Sequence, residues 1–359
     1  MVQKTQAKRV LGYKVSDPFI GPRRPKGPCP KTRRALSMET FRVGRHRFSR
    51  KKQTFDASMI SSYKKDASRL SKRDFELAVI SKLFPNTSGK TQPITKTSEG
   101  SFGVVYKVRV TRQFQKDLRL AKSKGFNVLH MKTPPLGSWV ACKVEFDIQA
   151  DVRSGQPWTK AEYIKSMNAT LKALETRGTR QTRKYIQRVT QESMVHSTLA
   201  AFKGPHGLRG SSSFTKFFMS WMDPTYGIHV SVSEFIRGVT LRKYKSVFNT
   251  APLAIIKKFE RAIQTLWYAG FAHVDTHLDN VMVTEHPRRV ILLDFGRSHL
   301  LPVRIHESIK AGIDRGDHME TIWKSSGLRR WMDVTARKYG FYYPNIRGLR
   351  QFVRGSIFM

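Results

Sequence analysis

Two polar stretches set between apolar runs hold the residue types that could do chemistry: "HVDTHLDNVMV", His273 to Val283, and "VILLDFGRS", Val290 to Ser298. Asp275 falls between a helical pattern and a strand-like one, where a carboxylate could accept a hydroxyl proton. Asn280 and Asp294 offer hard oxygen atoms of the kind Mg²⁺ takes when it bridges nucleotide phosphates. A metal site of His273, Asp275 and His277 competes, because a spacing of four puts two histidines on one helical face. Gly270 before the stretch and the β-branched run after it argue against a helix there, which ranks zinc below the oxygen-ligand chemistry. Taken singly, Asp275 and Asp294 read as turn or cap residues. His273 alone reads as a packed, hydrogen-bonded loop residue, and His277 as a neighbour of Asp275.

Upstream lie the groups such chemistry would need as partners. In "SEGSFGVVYKV", Ser98 to Val108, Gly100 and Gly103 precede a strand pattern and would let backbone lie close over a phosphate. Alone, these glycines fit a hairpin turn with positive φ equally well. Lys143 in "VACKV" has apolar neighbours on a strand pattern, so its ammonium calls for an anionic partner on a half-buried surface. A carboxylate on a following helix would orient it; Glu192 in "RVTQESMVHSTLAAF" is the first candidate and Glu175 the second.

The elements that must position these residues are legible in outline. "SKRDFELAVISKLF", Ser71 to Phe84, has a helical pattern that Pro85 stops. "GVVYKVRV", "SWVACKVEF", "FTKFFMSWM" and "IHVSVSEFI" read as strands. A basic excursion containing "KDLRLAKSKG" separates the first two. Helical patterns fall around Lys160 to Leu174, Arg183 to Phe202 and Leu253 to Ala269, the last capped by Gly270. Strands first and helices later is an α+β order.

In this sequence the motifs resemble the eukaryotic-type protein kinase superfamily, from Lys90 to Leu300: a glycine-rich loop in "SEGSFGVV", a strand lysine in "VACK", a catalytic loop in "HVDTHLDN", a metal motif in "DFG", and a hinge in "SVSEFIRGVTLRKY". The resemblance implies an ATP- and Mg²⁺-dependent phosphotransferase of the serine/threonine protein kinase type. Gly100, Ser101, Phe102, Gly103 and Val105 would cover the nucleotide, Lys143 would pair with its phosphates and with Glu192, and Glu234, Phe235 and Ile236 would meet adenine. Asp275 would serve the acceptor hydroxyl, while Asn280 and Asp294 would hold Mg²⁺. The implied fold is α+β and two-lobed: a basic N-terminal arm over 1–73, a strand-rich N-lobe with an insertion over 74–236, and an abbreviated helical C-lobe over 237–359.

Departures from the common pattern point away from the commonest kinases. Ser98 replaces the first loop glycine, a long insertion separates Gly103 from Lys143, Val274 stands where many protein kinases carry Arg, and no Ala-Pro-Glu motif follows "DFG". The H-x-D-x-H-x-x-N form is closer to kinases of small molecules and to atypical protein kinases, so the implied acceptor is a protein or small-molecule hydroxyl.

Composition adds a second theme. The 359 residues are 39% hydrophobic, enough for a substantial core, yet 66 Lys and Arg against 26 Asp and Glu give a formal net charge of +40. The excess is densest over Met1 to Asp74, where "GPRRPKGPCPKTRR" has no sustained period. Such a chain should be drawn to nucleic acid or acidic protein through backbone-directed, unspecific contacts. Kinase chemistry requires no such excess, so a kinase-fold structural protein of a virion, a minor capsid or DNA-packaging component meeting other virion proteins, is the alternative; compact, divergent kinase-like proteins of large DNA viruses are similar in these respects. Cys29 and Cys142 sit in unrelated contexts and suggest neither disulfide nor zinc. Without an apolar run of membrane-spanning length or a secretory signal, the expectation is a soluble intracellular or virion-associated protein.

Overall fold

The computed structural model describes residues 40–43, 46–49, 72–88, 94–100, 103–145, 192–223, 228–248, 253–273, 275–284, 289–296 and 298–339. The pattern at Lys160 to Leu174, Glu175, Ser101, Phe102, Val274, Cys29 and most of the arm lie outside these residues.

A six-stranded antiparallel sheet organises the first half of the chain. Its strands are β3 (Thr95–Gly100), β4 (Gly103–Arg109), β5 (Phe126–His130), β6 (Trp139–Glu145), β7 (Phe217–Met222) and β8 (His229–Glu234), in the order β3-β4-β6-β8-β7-β5. Alternation along β4, β6 and β8 sends Val104, Tyr106, Val140, Cys142, Val144, Val230 and Val232 to one buried face. The register aligns the opposite face as well, with Val105, Lys143 and Ser231 abreast, and Gly103, Glu145 and His229 abreast.

Two helices close the apolar face. Helix α1 (Lys72–Leu83) has the expected course and ends before Pro85, carrying Val79, Ile80 and Leu83 onto the sheet beside Phe84. Helix α2 (Arg112–Lys124) corrects the reading of the basic excursion as a mere insertion. Phe114 and Leu118, four apart, supply a narrow apolar stripe that the charge around them obscured; Thr111 caps the helix by accepting from the Phe114 N–H at 3.2 Å. The Phe84 ring lies 5.4 Å from Phe114 and meets Trp221 edge-on at 6.3 Å. The chain after α2 returns as β5, which pairs with β7 and adds a sixth strand at the sheet edge. Lys143 thereby points to the opposite face of the sheet.

The arm also holds a hairpin that the absence of a sustained period did not reveal: β1 (Thr40–Val43) pairs antiparallel with β2 (His46–Ser49), Phe41 opposite Phe48. Each strand is too short for its alternation to stand out among the surrounding basic residues.

The second apolar cluster is mainly helical. Helix α3 (192–201) contributes Met194, Val195 and Leu199 to it, and α4 (Gly210–Ser213) leads into β7. After β9 (Val239–Thr240) and α5 (Leu241–Phe248) comes α6 (Leu253–Tyr268), whose Ile255, Ile256, Phe259, Ile263, Leu266 and Trp267 form its buried stripe. Gly270, at φ +91°, ends it as expected. The chain continues through β10 (Phe271–Ala272), β11 (Val281–Val283), β12 (Val290–Leu292) and β13 (His299–Leu300) to α7 (Val303–Asp314), α8 (Met319–Ser325) and α9 (Leu328–Tyr339). Trp267 stacks on Trp323 at 6.0 Å. No described helix is long and apolar enough to cross a membrane. This mixed α/β chain with an antiparallel sheet is compatible with the kinase-like expectation.

Asp117, 1% exposed on α2, accepts from the Asn86 N–H at 2.9 Å, Asn86 Nδ2 at 2.7 Å and Thr87 Oγ1 at 2.6 Å, joining α2 to the turn after α1. Asp117→Ala leaves the buried Thr87 hydroxyl unpaired and gives up both bonds to the exposed Asn86, and should lower the unfolding free energy by about 2 kcal/mol. Urea titration checks this; an unchanged midpoint would show that the three bonds contribute no net stability.

Candidate active site

Lys143 stands on β6 with a side chain 21% exposed, and three carboxylates converge on its ammonium: Glu192 Oε1 at 2.7 Å, Glu145 Oε1 at 2.8 Å and Asp294 Oδ1 at 3.3 Å. An ammonium has three hydrogens, so each finds an acceptor. Glu192 arrives from the first described turn of α3, whose apolar residues anchor it in the helical cluster; Glu145 comes from Lys143's own strand face two residues on; Asp294 comes from the loop after β12.

One cation among three partly buried acids governs their protonation. Burial alone would lower the Lys143 pKa, but Asp294, Glu145 and Glu192 reverse that and hold it well above the ordinary range. For Glu192, burial and the negative charge of Glu145 outweigh the pull of Lys143, and its carboxyl is raised well above the usual value. Burial also pushes Asp294 upward, yet the Lys143 charge and the Gly296 N–H, 3.3 Å from Oδ1, keep its pKa lowered. Of Glu192 and Asp294, Glu192 is therefore the one that takes up a proton more readily.

The geometry around Asp294 is tight. Its φ of +57° is left-handed, a conformation that L-residues adopt with strain. A Cβ at Gly296 would lie 3.1 Å from Glu192 Oε2 and 3.2 Å from Asp294 Oδ1, so a larger residue there would crowd both carboxylates.

A hairpin brings the second stretch beside the first. β11 and β12 pair with Val281 opposite Leu292, and the Leu293 N–H donates to the Asn280 carbonyl at 2.9 Å, which puts Asn280 alongside the residue before Asp294. Asn280 Nδ2 donates to the Asp275 carbonyl at 2.9 Å and so ties the two ends of the loop. Asp275 is half-buried.

His273 is buried: its Nε2–H donates to the Leu293 carbonyl at 2.6 Å, its ring lies 5.2 Å from Phe295, and its Nδ1 has no hydrogen-bond partner among the described residues. His277 instead caps a single 3₁₀ turn, Leu278–Asn280, its Nδ1 accepting from the Asp279 N–H at 3.3 Å. The two histidines thus share no helical face. Among the described residues no group of three or more His, Cys, Asp or Glu could hold a metal ion by itself, which removes the zinc reading's geometric basis.

Glycine at 103 answers to packing, for a Cβ there would fall 2.2 Å from the Val144 carbonyl oxygen, and its φ is not in the left-handed region. The turn explanation therefore does not apply to it. Gly100 pairs with Gly103, and Val105 sits across from Lys143. In the hinge stretch, the Glu234 N–H donates to the Lys216 carbonyl at 2.8 Å and the Phe235 N–H to the Trp139 carbonyl at 3.2 Å. Those two N–H groups are committed within the sheet, and among Glu234, Phe235 and Ile236 only the Ile236 N–H donates to no described residue.

Sequence reasoning missed Glu145, although its i, i+2 spacing from Lys143 on a strand was a readable signal. It also missed His229, Ser193 and His196, whose roles depend on strand pairing and helix phase.

Residues 227–311 match the family model described as ABC1 atypical kinase-like domain. The match covers about a quarter of the chain, from just before β8 into α7, and contains Asp275, Asn280 and Asp294. It supports a protein-kinase-like superfamily for the chain and, with it, a kinase-like fold. Lys143 and Glu192 lie outside the matched residues, so their meeting with Asp294 is a separate observation. No curated protein matches this sequence.

His196, one turn beyond Glu192, packs against Phe217 at 5.2 Å and Phe295 at 5.4 Å and bonds to Thr215. Burial, and secondarily the Lys143 charge, lower its pKa to about 4 against the opposing carbonyl of Thr215. The unfolded chain therefore binds a proton here at higher pH than the folded one, so stability is full above about pH 6.5 and falls as pH drops toward 4. His196→Phe keeps an aromatic ring and removes the titration; its Tm should decline less between pH 7 and pH 4.5 than the parent's. Parallel declines would show that His196 does not carry the effect.

Proposed function

We propose that the chain is an ATP- and Mg²⁺-dependent phosphotransferase that transfers the γ-phosphoryl group to a hydroxyl. The observation that carries the reading is the contact of Lys143 with both Glu192 and Asp294, from a strand, a helix and a loop distant in sequence. A lysine on a sheet, oriented by a helix carboxylate and facing a loop aspartate, is the arrangement that phosphoryl transfer uses to position a nucleotide.

Lys143 would grip phosphate oxygens. All three of its hydrogens have acceptors, and Asp294, at 3.3 Å the longest contact, is the one that yields most readily to a phosphate. Asp275 would orient the acceptor hydroxyl and take its proton as the oxygen attacks phosphorus. The N–H of Ile236 remains for adenine.

The donor set suits a hard cation that completes its shell with phosphate and water. Asn280 commits its Nδ2 to the Asp275 carbonyl, leaving Oδ1, and Asp294 commits Oδ1 to Lys143, leaving Oδ2. Mg²⁺ bound there would neutralise charge on the transferring phosphoryl group.

A serine or threonine hydroxyl on a protein is the first acceptor to test. With labelled ATP, Mg²⁺ and acidic or basic protein acceptors, Lys143→Met, Asp275→Ala and Asp294→Ala should each reduce transfer by at least about a hundredfold. Equal transfer by parent and variants would rule the reading out.

The charge supports a second property, unspecific polyanion binding. On α2, Arg112, Lys116, Arg119, Lys122 and Lys124 are exposed while the one carboxylate, Asp117, is buried. Affinity for duplex DNA should fall linearly with the logarithm of salt concentration, and Arg112→Ala with Lys116→Ala and Arg119→Ala should flatten the slope. A salt-independent affinity would exclude phosphate contacts.

A further inference from the structure

Glu145 does more than share Lys143. Its Oε1 accepts from Lys143 at 2.8 Å, and its Oε2 accepts from His229 Nδ1–H at 2.7 Å, across the strand pair that sets Glu145 opposite His229. A carboxylate only accepts, so Nδ1 carries the ring proton, and the Nε2 of a neutral ring then accepts from the Ser193 hydroxyl at 3.0 Å. Glu145, His229 and Ser193 are 2%, 3% and 2% exposed. Ser193 adjoins Glu192, which itself contacts Lys143 at 2.7 Å. The bonds thus close a ring: Lys143, Glu145, His229, Ser193, one peptide unit, Glu192 and back to Lys143.

We infer that Glu145, His229 and Ser193 form a second tether between the sheet and α3, and are positioning residues for the Lys143–Glu192 pair. Against β6 and β8, a first turn tied by Glu192 alone could pivot about that one polar contact. Consecutive helix residues point about 100° apart, so bonds from Glu192 to β6 and from Ser193 to β8 resist rotation as well as lift-off. Lys143 also keeps two carboxylates, from its own strand and from α3, when its contact with Asp294 is given up. A buried carboxylate shared between lysine and histidine is a costly device for packing alone, since apolar residues would fill the same space at least as well. What apolar residues could not do is fix the ammonium to a direction.

The inference rests on the phosphotransferase reading for its catalytic consequence and on geometry for the tether. Ser193→Ala removes one hydroxyl from a buried site and should fold. In the full chain with Mg²⁺ and ATP it should lower kcat about tenfold, the size expected for one buried hydrogen bond, with KM for the acceptor unchanged. His229→Leu should do the same. In a Glu192→Gln background the Ser193→Ala loss should shrink to less than about twofold, because both act through Lys143. Independent, multiplying losses, or parental kcat in Ser193→Ala, would overturn the positioning role.

Amide hydrogen exchange separates the two readings. Ser193→Ala should speed exchange over 194–199 and leave α6 unchanged. Unchanged exchange over 194–199 overturns the tether whatever the activity, whereas unimpaired transfer by Lys143→Met overturns the enzyme reading and leaves the exchange result to stand for the tether.

Discussion

The ammonium of Lys143 meets Glu145, Glu192 and Asp294 at once, and the elements on either side of it are placed so as to deliver those three acids. Each acid comes from an element whose position is decided elsewhere. The back of the sheet is sealed by α1 and α2, so that β6 must turn Lys143 and Glu145 to the other face. Helix α3 is held by Met194, Val195 and Leu199 in the helical cluster, which fixes the phase at which Glu192 and Ser193 emerge. The β11–β12 hairpin sets the start of the Asp294 loop. Apolar burial supplies the free energy, and the polar cluster uses it to hold like charges together.

That arrangement makes the site electrostatically unfinished. Among the described residues three carboxylates meet one ammonium, and burial with the negative charge of Glu145 raises the Glu192 pKa. An anion entering such a place gains only if cations enter with it. On the proposed phosphotransfer reading, a nucleotide carried with Mg²⁺ would meet that condition, since metal charge would relieve Asp294 and Glu192 in the same event that brings phosphate to Lys143.

Legibility in the sequence followed the range of the interactions. Strands β4, β6 and β8 and helix α6 have periods that one stretch of chain can display, and they lie where the patterns put them, as do the apolar run of β7 and α1 before Pro85. Helix α2 was obscured because two buried side chains, Phe114 and Leu118, sit among basic residues that dominate its composition. Motif order put Lys143, Asn280 and Asp294 into one hypothesis, but nothing local in "RVTQESMVHS" distinguishes Glu192 from any surface glutamate; its packing on distant residues does. Glu145 was overlooked because attention to the strand lysine stopped at the motif, although the strand period extends two residues further. His229 depends on the β6–β8 register, and that information is tertiary.

The left-handed turn at Asp294 follows from the same constraint. β12 runs antiparallel to β11, and a residue continuing it in extended conformation would stay in the plane of that ladder. A φ of +57° departs from that path and aims Oδ1 at both Lys143 and the Gly296 N–H. A Cβ at Gly296 would press on the same carboxylates, 3.1 Å from Glu192 Oε2 and 3.2 Å from Asp294 Oδ1, so either would have to shift to admit it. The next side chain, Phe295, lies against His196, Phe214 and His273, so the helix, the sheet approach and the loop all brace the residue beside the strained one. Strain at Asp294 is sustained because relaxing it would move Phe295 out of that aromatic contact set and withdraw a carboxylate from Lys143 at once. Backbone conformation, aromatic packing and charge placement at this turn are therefore one constraint, which accounts for a short loop holding an aspartate in a conformation it would not adopt alone.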